Sequence, residues 1–246
     1  MSRPSPVIAV LHRDPQLLVL LKPTGIATTS PDGTRCLAEE ARKLDPRAPM
    51  VHPTSRLDAD VSGVVIFART REASDALMQA RREGRYARTY LAIVERTPEP
   101  EEGRWSWPIA IDARDPRLRR ALEPGQTGER MQEASSRYAV RARGELASLL
   151  SLWPETGRTH QLRVHASRAG SPIVGDTQYG GAAHHAALRA RRGARRGARW
   201  SRDARAARAG ARRHACYVGL RQRRRGVARL IWKHGRRSQN LVQFAR

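Results

Sequence analysis

Ser55-Arg56-Leu57-Asp58-Ala59-Asp60-Val61-Ser62-Gly63-Val64-Val65-Ile66-Phe67-Ala68, residues 55–68, runs from a polar stretch into an apolar one without a break. The five apolar residues at 64–68 are too few for an ordinary helix and read as a buried strand. A carboxylate at the mouth of such a strand is partly desolvated and needs a cationic partner to stay ionised. Asp58 and Asp60 both stand there. On a strand, residues two apart share a face and like charges repel, so Asp60 is read as exposed or hydrogen-bonded.

Working outward, residues 7–21 read as two short strands broken by a turn at Arg13-Asp14-Pro15. Lys22-Pro23-Thr24-Gly25 then forces a loop, and Leu37, Ala41 and Leu44 set a helix over 35–44. Thr70 can cap a helix over 71–83, whose Ala73, Ala76, Leu77 and Ala80 share a face before Gly84 ends it. A strand over 88–95 follows. Residues 98–133, rich in Pro, Gly and charge, read as a surface excursion. Residues 135–143 and 145–153 read as a hairpin around Gly144, and 157–169 as a turn entering a helix stopped by Gly170. Strands and helices interspersed with hairpins give an α+β class, a mixed but mainly antiparallel sheet with flanking helices.

The second polar segment, Thr156-Gly157-Arg158-Thr159-His160-Gln161-Leu162-Arg163, opens that last helix. Its arginine can supply the cation the Asp58 carboxylate needs, aided by the positive end of the helix dipole. From residue types alone, a buried salt bridge at a strand–helix junction is the favoured account of the pair.

The chain has 246 residues and a formal net charge of +24, unevenly spread. Residues 182–246 hold 20 Lys plus Arg and a single acid, Asp203; residues 1–181 hold 27 basic and 22 acidic residues. A polyanionic partner, nucleic acid first, is expected. Positions 182–215 contain 13 Ala and 11 Arg, with only Leu188 and Trp200 as large apolar side chains, a composition expected to be partly disordered. Three short apolar patches, 216–220, 227–232 and 241–244, are candidate strands. Two readings of the tail stay open: an arm that binds RNA by displacing counterions, or a compositional bias such as a shifted reading frame produces. Two cysteines exclude a disulfide framework, and no apolar run approaches the length of a membrane span. His214 with Cys216, and His184 with His185, are too sparse for a zinc site. A cytoplasmic, monomeric protein without metal is expected.

Three stretches, SRLDADVSGVVIFART (55–70), RYARTYLAIVE (85–95) and ETGRTHQLRVHASRAGSPIVGDTQYGG (155–181), resemble successive motifs of the RluA-type pseudouridine synthases, and LLVLLKPTGIATTSPDG (17–33) resembles that family's lead-in segment. The resemblance implies a catalytic domain over 1–181 with the pseudouridine synthase fold and a central cleft. It implies isomerisation of selected uridines in structured RNA, rRNA or tRNA, without cofactor. By the same match Asp58 is the nucleophile, attacking uracil C6 or ribose C1′. Tyr90 stacks on the uracil, Arg158 pairs with the aspartate, and Arg56 enters the space the everted uridine leaves. Lys22 and Arg163 are candidate phosphate contacts, with solvated surface cations as the alternative; His160 and Gln161 are expected to brace their loop. The chain departs from the family pattern at Ser55, where a histidine is common, at Val61, where a threonine is common, and after Gly180, where the motif leading into the closing strands is not found. Two other function classes remain: a degenerate synthase that only binds RNA, and a two-carboxylate glycosidic hydrolase built on Asp58 and Asp60.

Overall fold

The computed structural model describes residues 7–144 and 147–180, together with the backbone of 215–220. The expected disorder of the tail, its strands at 227–232 and 241–244, and the His184–His185 and His214–Cys216 side chains lie outside the described residues. The chain divides into two compact units. One comprises residues up to Arg88 with those from Arg213 onward, the other Thr89–Arg212.

The first unit is built on β1 (Ala9–Arg13), β2 (Leu17–Lys22), β3 (His52–Pro53), β4 (Ser62–Ala68) and β11 (Ala215–Leu220), with helices α1 (Leu37–Leu44) and α2 (Arg71–Arg82). The Asp14 carboxylate accepts from Gln16 N at 2.8 Å and Leu17 N at 2.7 Å, which closes the turn between β1 and β2 where Pro15 already fixes φ. β2 lies antiparallel to β4, from Leu17 opposite Ala68 to Lys22 opposite Gly63. Leu18, Leu20, Val65 and Phe67 are fully buried, as unbroken apolar runs in both strands require. On the other edge of β4, β3 pairs with Phe67 and Ala68, and β11 runs parallel to it with Ala215 opposite Ser62 and Cys216 opposite Gly63. The basic tail therefore supplies a strand beside the one that follows Asp58, at the first of the three apolar patches.

Thr70 Oγ1 accepts from Ala73 N at 3.1 Å, so α2 starts where its cap predicts, and it buries Ala73, Leu77 and Ala80. Gly84, at φ +67°, takes the left-handed turn that ends it. α1 begins two residues later than the 35–44 expectation, because Cys36 is still extended and acts as its N-cap.

The second unit holds an antiparallel sheet in the order β5 (Tyr86–Val94, its last six residues), β10 (Ser148–Pro154), β9 (Ser136–Arg143), β6 (Glu102–Trp105). Helix α3 (Gln161–Arg168) contributes Ala166 and Leu162 to a core of Ala92, Val94, Trp105, Tyr138, Leu150, Leu152 and Ile173. Trp105 and Tyr138 stack at 4.4 Å between centroids.

Residues 98–133 are more than the surface excursion the composition implied. They supply edge strand β6 and the hairpin β7 (Ile109–Ile111) with β8 (Arg119–Ala121), and they bury Trp105, Ile109, Ala110 and Leu122. Their strands are three or four residues long, so apolar residues arrive singly and leave no period to read.

Candidate active site

In the first unit the segment carrying Asp58 is irregular, and its main chain is fixed almost residue by residue. Thr54 N and Oγ1 both donate to Ile66 O, at 2.9 and 3.1 Å. The Thr28 hydroxyl donates to Leu57 O and accepts from Leu57 N, each at 2.9 Å, and Leu57 itself is buried. Val61 N closes a turn on Asp58 O at 3.0 Å. Ala59 O accepts from Gly25 N at 2.8 Å and from Lys22 Nζ at 3.1 Å. The donor Gly25 sits at φ +85°, which only glycine adopts cheaply. The lead-in stretch 22–28 thus grips the backbone on both sides of Asp58, and Asp58 itself is half-buried.

Lys22 corrects one of its two expectations. It is fully buried, and its ammonium donates to the carbonyls of Pro23, Ile26 and Ala59 at 3.0, 2.6 and 3.1 Å. It is not a solvated surface cation; it ties the loop after β2 to the loop of Asp58. Asp60 is exposed, as expected, although it sits in a turn and not on a strand, so the shared-face argument does not apply to it. Arg56 is exposed, two residues from Asp58.

In the second unit Tyr90 lies on β5 opposite Leu152, half-buried against the core. The 156–163 segment is held by side chains. Gln161, almost wholly buried, accepts from Arg158 N at 2.9 Å and from the Thr156 hydroxyl at 2.7 Å. Its amide nitrogen donates to Ser135 O and Ser136 Oγ, both at 2.9 Å. The bracing role expected of Gln161 is what these four bonds perform. Ser136 in turn meets His165 Nδ1 at 3.0 Å, and His165 Nε2 lies 3.0 Å from Trp107 O. A carbonyl only accepts, so Nε2 carries the proton and the neutral ring takes the Ser136 hydroxyl proton on Nδ1. Burial pushes His165 below its ordinary value, which keeps that pattern in place.

The two arginines of this segment differ. Arg158 is half-exposed, and its Nε donates to Glu133 O at 2.9 Å. Arg163, on α3, has a side chain only 13% exposed; Nε and Nη2 bind the two oxygens of Asp176 at 2.7 and 2.8 Å, and Nη2 reaches Gln178 Oε1 at 2.6 Å. The guanidinium lies 4.8 Å from the centre of the Tyr179 ring. Arg163 is therefore not the solvated surface cation of the alternative reading. Tyr179 also accepts from Arg119 N at 2.9 Å, and its hydroxyl lies 2.7 Å from Nδ1 of His160, a residue held at φ +56°.

Thr28, Asp176 and Tyr179 are structural partners to which the sequence assigns no role. Asp176 and Tyr179 stood in the stretch Gly175-Asp176-Thr177-Gln178-Tyr179-Gly180, where an acid and an aromatic between two glycines are the available signal. Among the described residues no group of three or more metal-ligating side chains occurs, and no helix is long and apolar enough to cross a membrane.

The family model described as RNA pseudouridylate synthase matches residues 16–168. The ribosomal large subunit pseudouridine synthase C of Haemophilus ducreyi is 34% identical over 185 residues, 73% of this chain and 55% of that protein. An uncharacterized RNA pseudouridine synthase of Bacillus subtilis is 37% identical over 179 residues, 70% of this chain and 57% of that protein. The chain spans about half the length of the curated relatives it matches. Among solved structures, human RNA pseudouridylate synthase domain containing 4 aligns with a TM-score of 0.56 at 28% identity, over 69% of this chain and 68% of that one. Human RNA pseudouridylate synthase domain containing 1 shares the fold, with a TM-score of 0.63 at 23% identity over 89% of this chain and 81% of that one. The expected fold class, α+β with a mainly antiparallel mixed sheet, stands.

Proposed function

Since the chain belongs to the RNA pseudouridylate synthase family, we propose that it isomerises uridine to pseudouridine in RNA, with ribosomal RNA of the large subunit as the substrate class that its relatives' names point to. The observation that carries this reading is the Asp58 loop. A half-buried carboxylate sits on a main chain tied down at Leu57, Asp58 and Ala59, in the motif where the family resemblance puts the nucleophile. Preorganisation of this kind is what a covalent step at one fixed atom needs.

The chemistry balances without a co-reactant. Asp58 attacks uracil C6 or ribose C1′ and the C1′–N1 bond breaks; the detached base turns, C5 bonds to C1′, and the bond to Asp58 breaks, returning its electron pair to the carboxylate. The C5 proton leaves as N1 gains one, so substrate and product have the same mass. Tyr90 offers a half-buried ring against which an everted uracil can stack, and Arg56, exposed near the nucleophile, fills the gap left in the RNA. Everting the base costs a few kcal/mol, which these two contacts offset. Ribosomal RNA as substrate implies a cytoplasmic site of action.

The resemblance gives Arg158 as the cation that keeps Asp58 ionised. A specific observation favours Arg163 as a second reading: its guanidinium is sheltered and aimed by a bidentate carboxylate, whereas Arg158 is half-exposed with its Nε on a main-chain carbonyl. A sheltered, fixed guanidinium acts through a lower effective dielectric than an exposed one.

Tritium release from RNA labelled at uridine C5 tests the function. The wild-type chain should release label without changing RNA length, and Asp58→Asn should lower the rate by at least about three orders of magnitude. Turnover that survives Asp58→Asn removes it as nucleophile. RNA binding without release would mark a degenerate synthase, and free uracil a hydrolase. Arg158→Lys and Arg163→Lys, run side by side, decide between the two arginines.

A further inference from the structure

The strongest cluster that the proposed reaction does not itself explain lies in the second unit, around Asp176 and Tyr179. Asp176 is buried, 3% exposed, and both its oxygens bind one guanidinium, Oδ1 also accepting from Gln178 N at 3.3 Å. Buried carboxylates of this kind are costly unless fully paired, and the bidentate fork supplies that pairing with a defined plane. The aspartate is itself fixed: its main-chain N donates to Ile173 O at 3.0 Å, and Tyr179 N donates back to Asp176 O at 3.3 Å. The Tyr179 ring under the guanidinium adds a second constraint, because a planar cation over an aromatic face cannot tilt without losing contact. The Tyr179 hydroxyl is tied to Arg119 N on β8 and to His160 just before α3. Carboxylate, ring and hairpin together fix the orientation of one arginine to a single plane. The bonds to Asp176 and Gln178 engage Nε and Nη2, so the Nη1 side of the guanidinium is the one this clamp directs outward from Asp176.

A structural ion pair needs only the bidentate carboxylate, and the ring and Gln178 constrain the guanidinium further. What the added contacts supply is angular precision, which matters most when the guanidinium must meet another group at a fixed angle. We propose that Asp176 and Tyr179 are positioning residues of the synthase reaction, acting through Arg163. This rests on the reading in which Arg163, not Arg158, serves the reacting carboxylate.

The test is single-turnover isomerisation with saturating enzyme, alongside the RNA dissociation constant measured separately and the folded fraction by circular dichroism. Asp176→Asn should slow the single-turnover rate about 10–100-fold, the range seen when a residue orienting a functional group is removed, with the RNA dissociation constant within about threefold of wild type. Asp176→Glu, which keeps the charge at a shifted distance, should recover part of that rate. Tyr179→Leu, at a half-buried position that removes the ring without altering charge, should slow the same step, and Tyr179→Phe, which keeps the ring, should slow it less. If Asp176→Asn does not fold, the Tyr179 pair carries the test alone. An unchanged rate in folded Asp176→Asn or in Tyr179→Leu overturns the proposal, as does a loss that appears wholly in RNA affinity. Full activity of Arg163→Lys with loss in Arg158→Lys would instead overturn the reading beneath it, so the two failures are distinguishable.

Discussion

Two segments carry the candidate chemistry, and they are held by different kinds of bond. Around Asp58 the ties run to main-chain groups: Leu57, Asp58 and Ala59 are fixed through their own N–H and C=O by Thr28, Val61, Gly25 and Lys22. Between Thr156 and Arg163 the ties converge on one side chain, Gln161, which leads through Ser136 to a neutral histidine. The first arrangement fixes a backbone whatever side chains it bears, which suits a motif whose Ser55 and Val61 differ from the family's common residues. The second depends on a single amide and on one protonation state, and is therefore the more fragile to pH.

The largest effect is expected where the first arrangement depends on one buried charge. Lys22→Met keeps volume but removes an ammonium that makes three hydrogen bonds, taking this donor from the Pro23 and Ile26 carbonyls and leaving Ala59 O with Gly25 N. The loss should be about 3–5 kcal/mol in urea unfolding, the range for removing one member of a buried polar cluster. A loss below about 1 kcal/mol would show that Thr28 and Gly25 hold the Asp58 loop without the lysine.

Gln161→Leu strikes the corresponding centre of the other segment. It abolishes four hydrogen bonds and leaves Arg158 N, the Thr156 hydroxyl and Ser135 O to find new partners. Because the amide is neutral where Lys22 is charged, and water can replace partners at half-buried Thr156 and Arg158, the expected loss is smaller, about 2–3 kcal/mol. An equal or greater loss than for Lys22→Met would reverse the comparison.

The unequal legibility of the two segments follows from the same contrast. The apolar runs 17–21 and 64–68, the Thr70 cap and the Gly84 stop are local signals, and β2, β4 and α2 form where those signals place them. Asp58 and the arginine of 156–163 stand out by residue type, Arg56 and Tyr90 only through the family resemblance, and the partners of none of them are legible. Lysine at the end of an apolar strand reads as exposed because lysine nearly always is. Its burial depends on three carbonyls brought together by the fold, one of them 37 residues away. Asp176 stands 13 residues beyond Arg163, and no helical or strand period connects the two. The short strands of 98–133 were missed because their apolar residues are few, and each is buried by contacts that sequence spacing does not reveal.

The smallest effect tests whether the histidine end of the second network sets its pH tolerance. His165 is fully buried, its ring stands edge-on to Trp105 and Trp107, and its two hydrogen-bond partners, Ser136 Oγ and Trp107 O, are both neutral. Burial lowers its pKa from the ordinary 6.5, so the unfolded chain binds this proton more readily than the folded one does. The stability contributed by the neutral ring is therefore complete above pH 6.5 and is lost as the pH falls below that value, toward the folded-state pKa. One proton sets the steepest slope at about 1.4 kcal/mol per pH unit. A proton on Nδ1 would also face a Ser136 oxygen that already accepts from Gln161, so the strain passes directly to the amide that holds Arg158 N. Replacing His165 with Gln, which does not titrate, should flatten the acid side of the stability profile between pH 6.5 and 5, measured by urea unfolding at each pH. If the wild-type and His165→Gln profiles keep the same slope, other groups govern acid stability, and the second segment owes its fragility to Gln161 alone.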